Sequence, residues 1–291
     1  TPTAAAWERT PARPLLEVFA ALSAWRVDVA IPVLHGVGGE DGVLQGFLEM
    51  LGIAHTHSSV CGSAVTMDKE LSKRLYVSHG IATPAYAIIK RNHAVTNQLR
   101  AVRLGWPVVA KPPRLGSSVE VHIVHDRARL TACVRRLLRL DTRVLVEQYI
   151  HGRELTCAVL QRRPDADPAA LPVTEIVPVN SPFFDFKAKY TAGASREITP
   201  ARVPAAVARR VQAAAVACHQ ALQCGGVSRT DFMLDARGRL YALETNAIPG
   251  MTPLSLLPQA AAAVGISFSA LLDILIDHAV RAGQRSDAAG R

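Results

Sequence analysis

The chain has 291 residues, of which 49% are hydrophobic and 20% charged, so it can bury a sizeable core in two or three compact lobes. No apolar run approaches the roughly 20 residues that a membrane-spanning helix needs, and residues 1–13 lack the apolar region of a signal peptide, which predicts a cytoplasmic protein. The formal net charge of +9 suits an anionic ligand, but scattered basic residues and only 5% aromatic residues argue against a nucleic-acid or membrane partner.

In chain order, residues 1–66 predict a small N-terminal α/β lobe. Their apolar periodicity indicates a helix over 15–25, a strand over 27–34 that ends in a Gly-rich turn, a helix over 41–51 and an extended segment over 54–60.

Residues 67–153 and 154–283 predict two further lobes, with a frayed tail over 284–291. The central lobe is expected to contain a helix over 67–79, strand 86–89, helix 97–104, strand 106–111, loop 112–118, strand 119–124, helix 127–140 and strand 143–149. The last lobe is expected to contain strand 154–160, loop 161–170, strand 173–179, a long loop over 180–199, helix 203–222, a hairpin and a closing helix over 267–281.

The clearest chemical signal is the hairpin predicted over 229–246, where two strand-like runs flank a turn composition at 235–238. A two-residue or four-residue loop would set Asp231 opposite Ala242, whereas a three-residue loop would reverse the parity. A loop of two or four residues places four polar side chains on one face of the hairpin: Arg229, Asp231, Glu244 and Asn246. Carboxylate and amide oxygens suit Mg²⁺, and nucleotide phosphates would complete its shell. The alternative is a hairpin whose polar face lies in water.

A second signal surrounds Lys111. An apolar strand ends at this lysine, and the following loop carries Gly116 and the hydroxyls of Ser117 and Ser118. Backbone N–H groups, hydroxyls and an ammonium together suit a phosphate. Most positively charged residues in the chain are Arg, and only six are Lys. This usage favours lysines at positions that need a compact positive charge, such as phosphate sites. Chance placement and an ordinary strand-to-strand turn are the alternatives.

Two further segments carry weaker signals. Glu147 and Glu154 flank a strand end where they can accept hydrogen bonds from a ribose or an adenine amine, while Tyr149 and Ile150 would line the base. A strand between two surface acids explains them equally well. His35 lies in a Gly-rich strand-to-helix turn, where α/β sites gather, although a structural histidine is the commoner explanation.

Seven segments together resemble the ATP-grasp fold and, within it, the D-alanine:D-alanine ligase family. They keep the family's order and approximate spacing between about residues 28 and 280. The matching runs are HGVGGEDGVLQGFLE, SAVTMDKELSK, VVAKPPRLGSSV, VEQYIHGREL, FFDFKAKY, SRTDFMLD and LETNAIPGMTPLSL. The resemblance implies an α/β (α+β) ATP-grasp fold, in which two lobes enclose a nucleotide behind a shortened N-terminal lobe.

The resemblance implies an ATP-dependent enzyme, a homodimer, that joins two D-alanines through an acylphosphate for peptidoglycan synthesis. Its implied cofactors are ATP and two Mg²⁺ (or Mn²⁺) ions. The residues implied for ATP are Lys69, Lys111, Glu147, Tyr149, Ile150, Glu154 and Lys189. Those implied for the metals are Asp231, Glu244 and Asn246.

For acyl transfer, the resemblance implies that Arg229 and a backbone N–H near Gly250 stabilise the oxyanion. It places Tyr190 on a loop that closes over ATP and, with Ser117, orders the site. The full implied catalytic set is Arg229, Ser117, Tyr190, Gly250 and His35, with Ser255 and Leu256 binding the carboxylate of the second substrate. Tyr190 is the family's dipeptide-type residue and favours D-alanine over D-lactate.

Some positions depart from the family pattern. Nothing in residues 1–27 matches the family's opening strand and GGxSxE turn, so either the chain is truncated or the pocket of the first substrate differs. The usual EGSSVG begins at Leu115 and ends at Glu120 here, Lys187 replaces an acidic residue, and His57 replaces a small one. The alternatives are therefore a related ligase that makes another dipeptide or depsipeptide, and a silent homologue that binds only ATP. The intact metal ligands argue against the silent homologue.

Overall fold

The computed structural model describes residues 15–115, 120–178 and 195–289. Within these ranges the strands form a two-stranded, a four-stranded and a six-stranded sheet. No helix of the described residues is both long and apolar enough to cross a bilayer. Helices pack against the sheets, in agreement with the predicted α/β (α+β) class.

The first region contains helices around a pair of short strands. Its elements are α1 Leu15–Ala24, β1 Val29–Ala30, α2 Val43–Met50, β2 Ala54–His55 and α3 Val60–Met67. β1 and β2 pair in parallel, so the structure reduces the strand predicted over 27–34 to two residues. The extended segment predicted over 54–60 is also shorter, because Ser59 caps α3 by accepting a hydrogen bond from the backbone N–H of Gly62.

The central region is an antiparallel sheet in the order β3-β6-β4-β5. Its elements are α4 Lys69–Ser78, β3 Tyr86–Lys90, α5 Val95–Ala101, β4 Val108–Lys111, β5 His122–Val124, α6 Arg127–Leu137 and β6 Arg143–Gln148. Alternate strand residues pack against α5 and α6 in a core that includes Ile89, Leu99, Val108, Ala110, Leu130, Val134, Val144 and Val146. Because side chains alternate along a strand, Lys111 and Glu147 point to the opposite face.

The helix predicted over 67–79 is α4, which begins at Lys69, and the preceding helix α3, which ends at Met67, was not predicted. Asp68 has extended backbone angles between α3 and α4, and its carboxylate accepts hydrogen bonds from the backbone N–H groups of Glu70 and Leu71. Asp68 therefore serves as the N-cap of α4 and makes Lys69 its first residue. Arg143 of β6 pairs with both Asp68 and Glu70, which fixes the start of α4 to the central sheet.

The last region is a sheet in the order β10-β9-β7-β11-β12, with β8 on β7. Its elements are β7 Gly152–Leu160, β8 Ala169–Ala170, β9 Thr174–Pro178, β10 Ser195–Ile198, α7 Ala205–Ala221, β11 Val227–Asp235, β12 Leu240–Asn246, α8 Leu256–Ala262 and α9 Phe268–Ala289. The predicted loop over 180–199 thus ends in a strand, β10. α8 was not predicted, and α9 extends well beyond the end predicted at residue 281 into the expected tail.

Helices cover both faces of this sheet. α7 packs on one face through Val211 and Cys218 against Leu155 and Phe232. α8 and α9 cover the other face, in a core that includes Ala158, Leu160, Val227, Leu257, Leu271 and Leu275. Along β7 and β11, alternate residues are buried on the two faces of the sheet. β11, the first strand of the hairpin, is therefore held rigidly from both sides.

Candidate active site

The β11–β12 hairpin has a turn that differs from the predicted one. The backbone N–H of Asp235 donates to the carbonyl oxygen of Arg239 at 2.9 Å, so the turn contains three residues and closes at Gly238 with φ +75°. Leu234 consequently lies opposite Leu240. The predicted two-residue or four-residue loop, with Asp231 opposite Ala242, is wrong.

A β-bulge at Leu243 restores the predicted face. Phe232 lies opposite Ala242, whereas Asp231 lies opposite Glu244, so Leu243 is an extra residue on β12. One extra residue shifts the register by one and reverses the parity a second time. Beyond the bulge Arg229 pairs with Asn246. The four polar side chains therefore share one face, as predicted, although by a route that the sequence analysis did not foresee.

Contacts on this face hold Asp231 in place. Arg229 donates to both carboxylate oxygens of Asp231, at 3.1 and 3.2 Å, and the Thr156 hydroxyl donates to Oδ1 at 2.6 Å. Burial disfavours the charged guanidinium, but Asp231 outweighs it and raises the pKa of Arg229 above its ordinary value. Lys69 Nζ lies 3.2 Å from Glu244 Oε2, and Asn246 Oδ1 accepts from the Ile248 backbone N–H at 2.8 Å.

The donor set on the hairpin is oxygen-rich but incomplete by itself. Among the described residues, no three His, Cys, Asp or Glu side chains are placed to hold a metal ion. Asp231 and Glu244 therefore need the amide oxygen of Asn246 and further oxygens from a ligand. Hard oxygen donors with open positions are typical of Mg²⁺ in phosphate-binding proteins, so these residues fit that ion.

Glu147 is the centre of a buried ion cluster. Its Oε1 lies 2.5 Å from Lys111 Nζ and its Oε2 lies 2.7 Å from Lys73 Nζ. Burial would raise the pKa of Glu147, but the two lysines outweigh burial and lower it to about 2. Lys73 was not singled out from the sequence. The available signals were the scarcity of Lys and its position one helical turn after Lys69 on α4.

The first cavity, of about 340 Å³, lies between the central and last sheets. Its polar lining includes Lys69, Lys111, Glu147, Glu154, Asp231 and Glu244, and its apolar lining includes Val109, Ile123, Tyr149, Ile150, Ile176 and Leu243. The structure thus brings together the six described residues that were predicted to bind ATP. Apolar walls with cations at one end can hold a flat base together with phosphates.

The second cavity, of about 720 Å³, adjoins the first and shares Lys69 and Glu244 with it. Its lining contains the remaining described residues predicted for catalysis, the metals and the second substrate: His35, Arg229, Asn246, Gly250, Ser255 and Leu256. It also contains Glu197 of β10, which the sequence analysis missed because no motif marks it. Glu197 accepts a hydrogen bond from Gln259 Nε2 at 2.7 Å.

Loops shape the second cavity. His35 Nδ1 lies 3.5 Å from Glu40 Oε1, a contact that raises the pKa of His35, and Glu40 Oε2 accepts from the Gly36 backbone N–H at 2.5 Å. A Cβ at Gly250 would lie 2.9 Å from Ser255 Oγ, so a side chain at this position would require that hydroxyl to move. Three other predicted site residues, Ser117, Lys189 and Tyr190, lie outside the described residues.

The family model described as "D-ala D-ala ligase C-terminus" matches residues 75–277, most of the central and last regions. The chain belongs to the D-alanine–D-alanine ligase family. Its similarity to curated members is high: it is 48% identical to the D-alanine–D-alanine ligase of Syntrophobacter fumaroxidans over 89% of this chain and 83% of that protein. The corresponding ligase of Desulfotalea psychrophila is 45% identical over 88% and 80% of the two chains.

Solved structures of the family have the same fold. A Bacillus anthracis D-alanine–D-alanine ligase complexed with ATP is 33% identical and superposes with a TM-score of 0.77 over 93% of this chain and 85% of that chain. VanG D-Ala:D-Ser ligase from Enterococcus faecalis is 38% identical, with a TM-score of 0.76 over 86% and 72%. The predicted family, ATP-grasp fold and ligase class are confirmed. The lobe boundaries and the roles of individual residues stay predictions.

Proposed function

We propose that this chain is an ATP-dependent ligase that joins two D-alanines to D-alanyl-D-alanine for peptidoglycan synthesis. The observation that carries the proposal is the arrangement of two cavities that meet at Lys69 and Glu244. One is an apolar slot with lysines, and the other is a polar chamber with Arg229 and Ser255. A phosphoryl group that passes from a nucleotide to an amino acid needs two such sites in contact.

In this proposal the first cavity binds ATP. Tyr149 and Ile150 lie against the adenine, and Glu147 and Glu154 accept hydrogen bonds from the base and the ribose. Lys69 and Lys111, which reach the cavity from α4 and β4, neutralise phosphate charge. Lys189 adds a third cation in the proposal.

Asp231, Glu244 and Asn246 are the residues that would hold the two divalent cations. Such cations, when bound with ATP, neutralise the charge that develops on the transferred phosphoryl group. The chain's own contribution is to hold Asp231 in a fixed orientation, through Arg229 and Thr156, and to present Glu244 next to Lys69.

The second cavity binds the amino acids. The carboxylate of the first D-alanine takes the phosphoryl group of ATP, and the amine of the second attacks the resulting acylphosphate with release of phosphate. Arg229 and the backbone N–H near Gly250 stabilise the oxyanion. Ser255 and Leu256 bind the second carboxylate, and His35 lines the same cavity. Ser117 and Tyr190 order the loop that excludes water, since a wet acylphosphate would hydrolyse.

The test is phosphate release and dipeptide formation by the full chain with ATP, Mg²⁺ and D-alanine. D-Alanyl-D-alanine should form, and Asp231→Asn should lower kcat/KM about a hundredfold, as loss of a metal-site residue does. Asp235→Asn, which removes the same charge from the exposed turn of the same hairpin, should stay within roughly twofold of the wild type. No product, or an Asp231→Asn variant as active as Asp235→Asn, would contradict the proposal.

The likeness to VanG D-Ala:D-Ser ligase makes a different second substrate the competing assignment. D-Serine and D-lactate belong in the same assay. A product made faster with either than with D-alanine would assign the chain to another dipeptide or depsipeptide ligase. Nucleotide binding without any product would instead indicate a silent homologue. The homodimer and the cytoplasmic location stay predictions from the sequence.

A further inference from the structure

Lys73 lies behind the first cavity. It is fully buried, whereas Lys69 and Lys111 line the cavity itself. Moving an ammonium out of water costs several kcal/mol unless charges and acceptors surround it. A fully buried lysine on a helix is therefore expected only where its charge does something that a leucine or methionine could not.

The ammonium of Lys73 has three kinds of partner. Its Nζ lies 2.7 Å from Glu147 Oε2 and donates to Thr83 Oγ1 at 2.7 Å. It also lies 5.5 Å from the centre of the Tyr86 ring, within the range of a cation–π contact. These partners belong to β6, β3 and the segment before β3, so one side chain of α4 ties together the non-helical face of the central sheet.

The charge count around Glu147 depends on Lys73. Without it, Glu147 and Lys111 would form a neutral pair, because the carboxylate at 2.5 Å would cancel the ammonium. Burial lowers the pKa of Lys73, and Glu147 opposes that shift. With Lys73 protonated, the three buried groups carry a net charge of about +1, and Glu147 divides its two oxygens between the lysines. A polyanionic phosphate chain is attracted by the second arrangement and not by the first.

Thr83 links Lys73 to the β11–β12 hairpin, which carries the residues proposed to hold the metal ions. Its hydroxyl accepts from Lys73 and donates to the carbonyl oxygen of Ala242 at 2.7 Å. The backbone N–H of Ala242 in turn donates to the carbonyl oxygen of Ala82 at 2.8 Å. Ala242 lies two residues before Glu244, at the edge of the Leu243 bulge.

We propose that Lys73 is a positioning residue for the nucleotide phosphates. Through Glu147 it orients Lys111 and keeps the cluster positive, and through Thr83 it holds the strand that carries Glu244. The inference rests on the proposed function only in that the ligand is a nucleotide with phosphates, so it can be tested by binding, without any dipeptide being formed.

The test is calorimetric titration of the full-length protein with magnesium and ADP, with steady-state kinetics beside it. Lys73→Met should weaken ADP binding and raise KM for ATP about tenfold, which is the loss expected for one charge-assisted hydrogen bond. KM for D-alanine should not change. A purely structural role predicts another pattern: lower thermal stability and a smaller active fraction, with both Michaelis constants unchanged.

Three further variants separate these cases. Lys73→Arg keeps the charge and should recover most of the ADP affinity. Thr83→Val removes the link to Ala242 without changing any charge, should fold, and should weaken ADP binding about threefold. Lys90→Met removes a lysine from the exposed end of β3 and should bind ADP as the wild type does.

Unchanged ADP affinity in Lys73→Met overturns the inference. If Lys73→Met does not fold, unchanged affinity in Thr83→Val overturns it instead. A wild type that binds ADP but makes no dipeptide contradicts the proposed function while the Lys73 measurement still stands. A wild type that does not bind ADP overturns both.

Discussion

The two cavities are built in different ways, although they share Lys69 and Glu244. Charges at the first cavity are held by strands and a helix: Lys73, Lys111 and Glu147 project from α4, β4 and β6 into one buried cluster. Much of the second cavity is shaped by turns, such as the one in which Glu40 holds His35 and the one that sets Gly250 against Ser255. Sheet elements position groups rigidly, whereas loops tolerate changes in sequence and length.

This difference suggests how the family can keep one chemistry and vary its substrates. The first cavity, where we propose that the phosphates bind, depends on buried charges that must be satisfied together, so a single replacement there should affect stability and nucleotide binding at once. The second cavity, where we propose that the amino acids bind, can be altered in a loop without disturbing the cores. Mutations at the first cavity should therefore change both stability and ATP binding. Mutations at the second cavity should change only the binding of D-alanine.

The largest effect is expected from Glu147→Gln. The amide leaves two buried ammonium groups without their counter-charge, so the free energy of unfolding should fall by about 3–5 kcal/mol. Urea denaturation measures it. Glu17→Gln, on the exposed side of α1, removes the same charge and should change stability by less than about 0.5 kcal/mol. Equal effects of the two variants would contradict the role of Glu147 as the buried counter-charge of two lysines.

The second expected effect is a loss of stability at acidic pH. His57 precedes α3, whose Thr66 and Met67 line the second cavity. Burial lowers the pKa of His57 to about 4, and burial also lowers that of His219 to about 4. Both are neutral in the fold, while the unfolded chain takes up protons near pH 6.5. Stability should thus be full above about pH 6.5 and fall towards pH 4, by about 2 kcal/mol for each histidine at pH 5.

Urea denaturation at pH 7.5 and 5.0 measures this loss. His57→Asn, which suits the left-handed backbone at φ +78°, should remove part of the difference between the two pH values. His93→Asn, on an exposed turn, should keep the wild-type difference. A wild type that is as stable at pH 5.0 as at pH 7.5 would contradict the assignment of neutral, buried histidines.

The smallest effect is expected from Gly250→Ala. The added methyl group would lie 2.9 Å from Ser255 Oγ and displace that hydroxyl. KM for D-alanine should rise about tenfold, with KM for ATP and the melting temperature nearly unchanged. Gly105→Ala is the matched control, because a Cβ there meets no atom within 4 Å. A change in KM for ATP instead would show that the cavities are not independent.

Much of the fold and site could be read from local patterns. Two-residue periods predicted β4, β6 and β7, and the longer period with a glycine stop predicted α4, although the break at Asp68 was missed. Motif order identified the family without any contact information. Six of the residues predicted for ATP meet at one cavity, because the order of motifs follows a fold that brings those elements together.

Local patterns failed where a remote partner decides the structure. The strand predicted over 27–34 keeps two paired residues, since pairing ends where its neighbour β2 ends. β10 lies in the segment predicted as a loop, because its short run becomes a strand only beside β9.

The family, the ATP-grasp fold and the identity of the polar residues on the hairpin could all be inferred from the amino-acid sequence. How those polar residues meet depends on tertiary contacts. The three-residue turn would have turned Asp231 and Glu244 to opposite faces, and the extra residue Leu243 brings them back together. The role proposed for Lys73 depends on Thr83 and on Glu147, and Glu147 lies far away in sequence. Register and buried charge depend on contacts between distant segments, and no local period encodes those contacts.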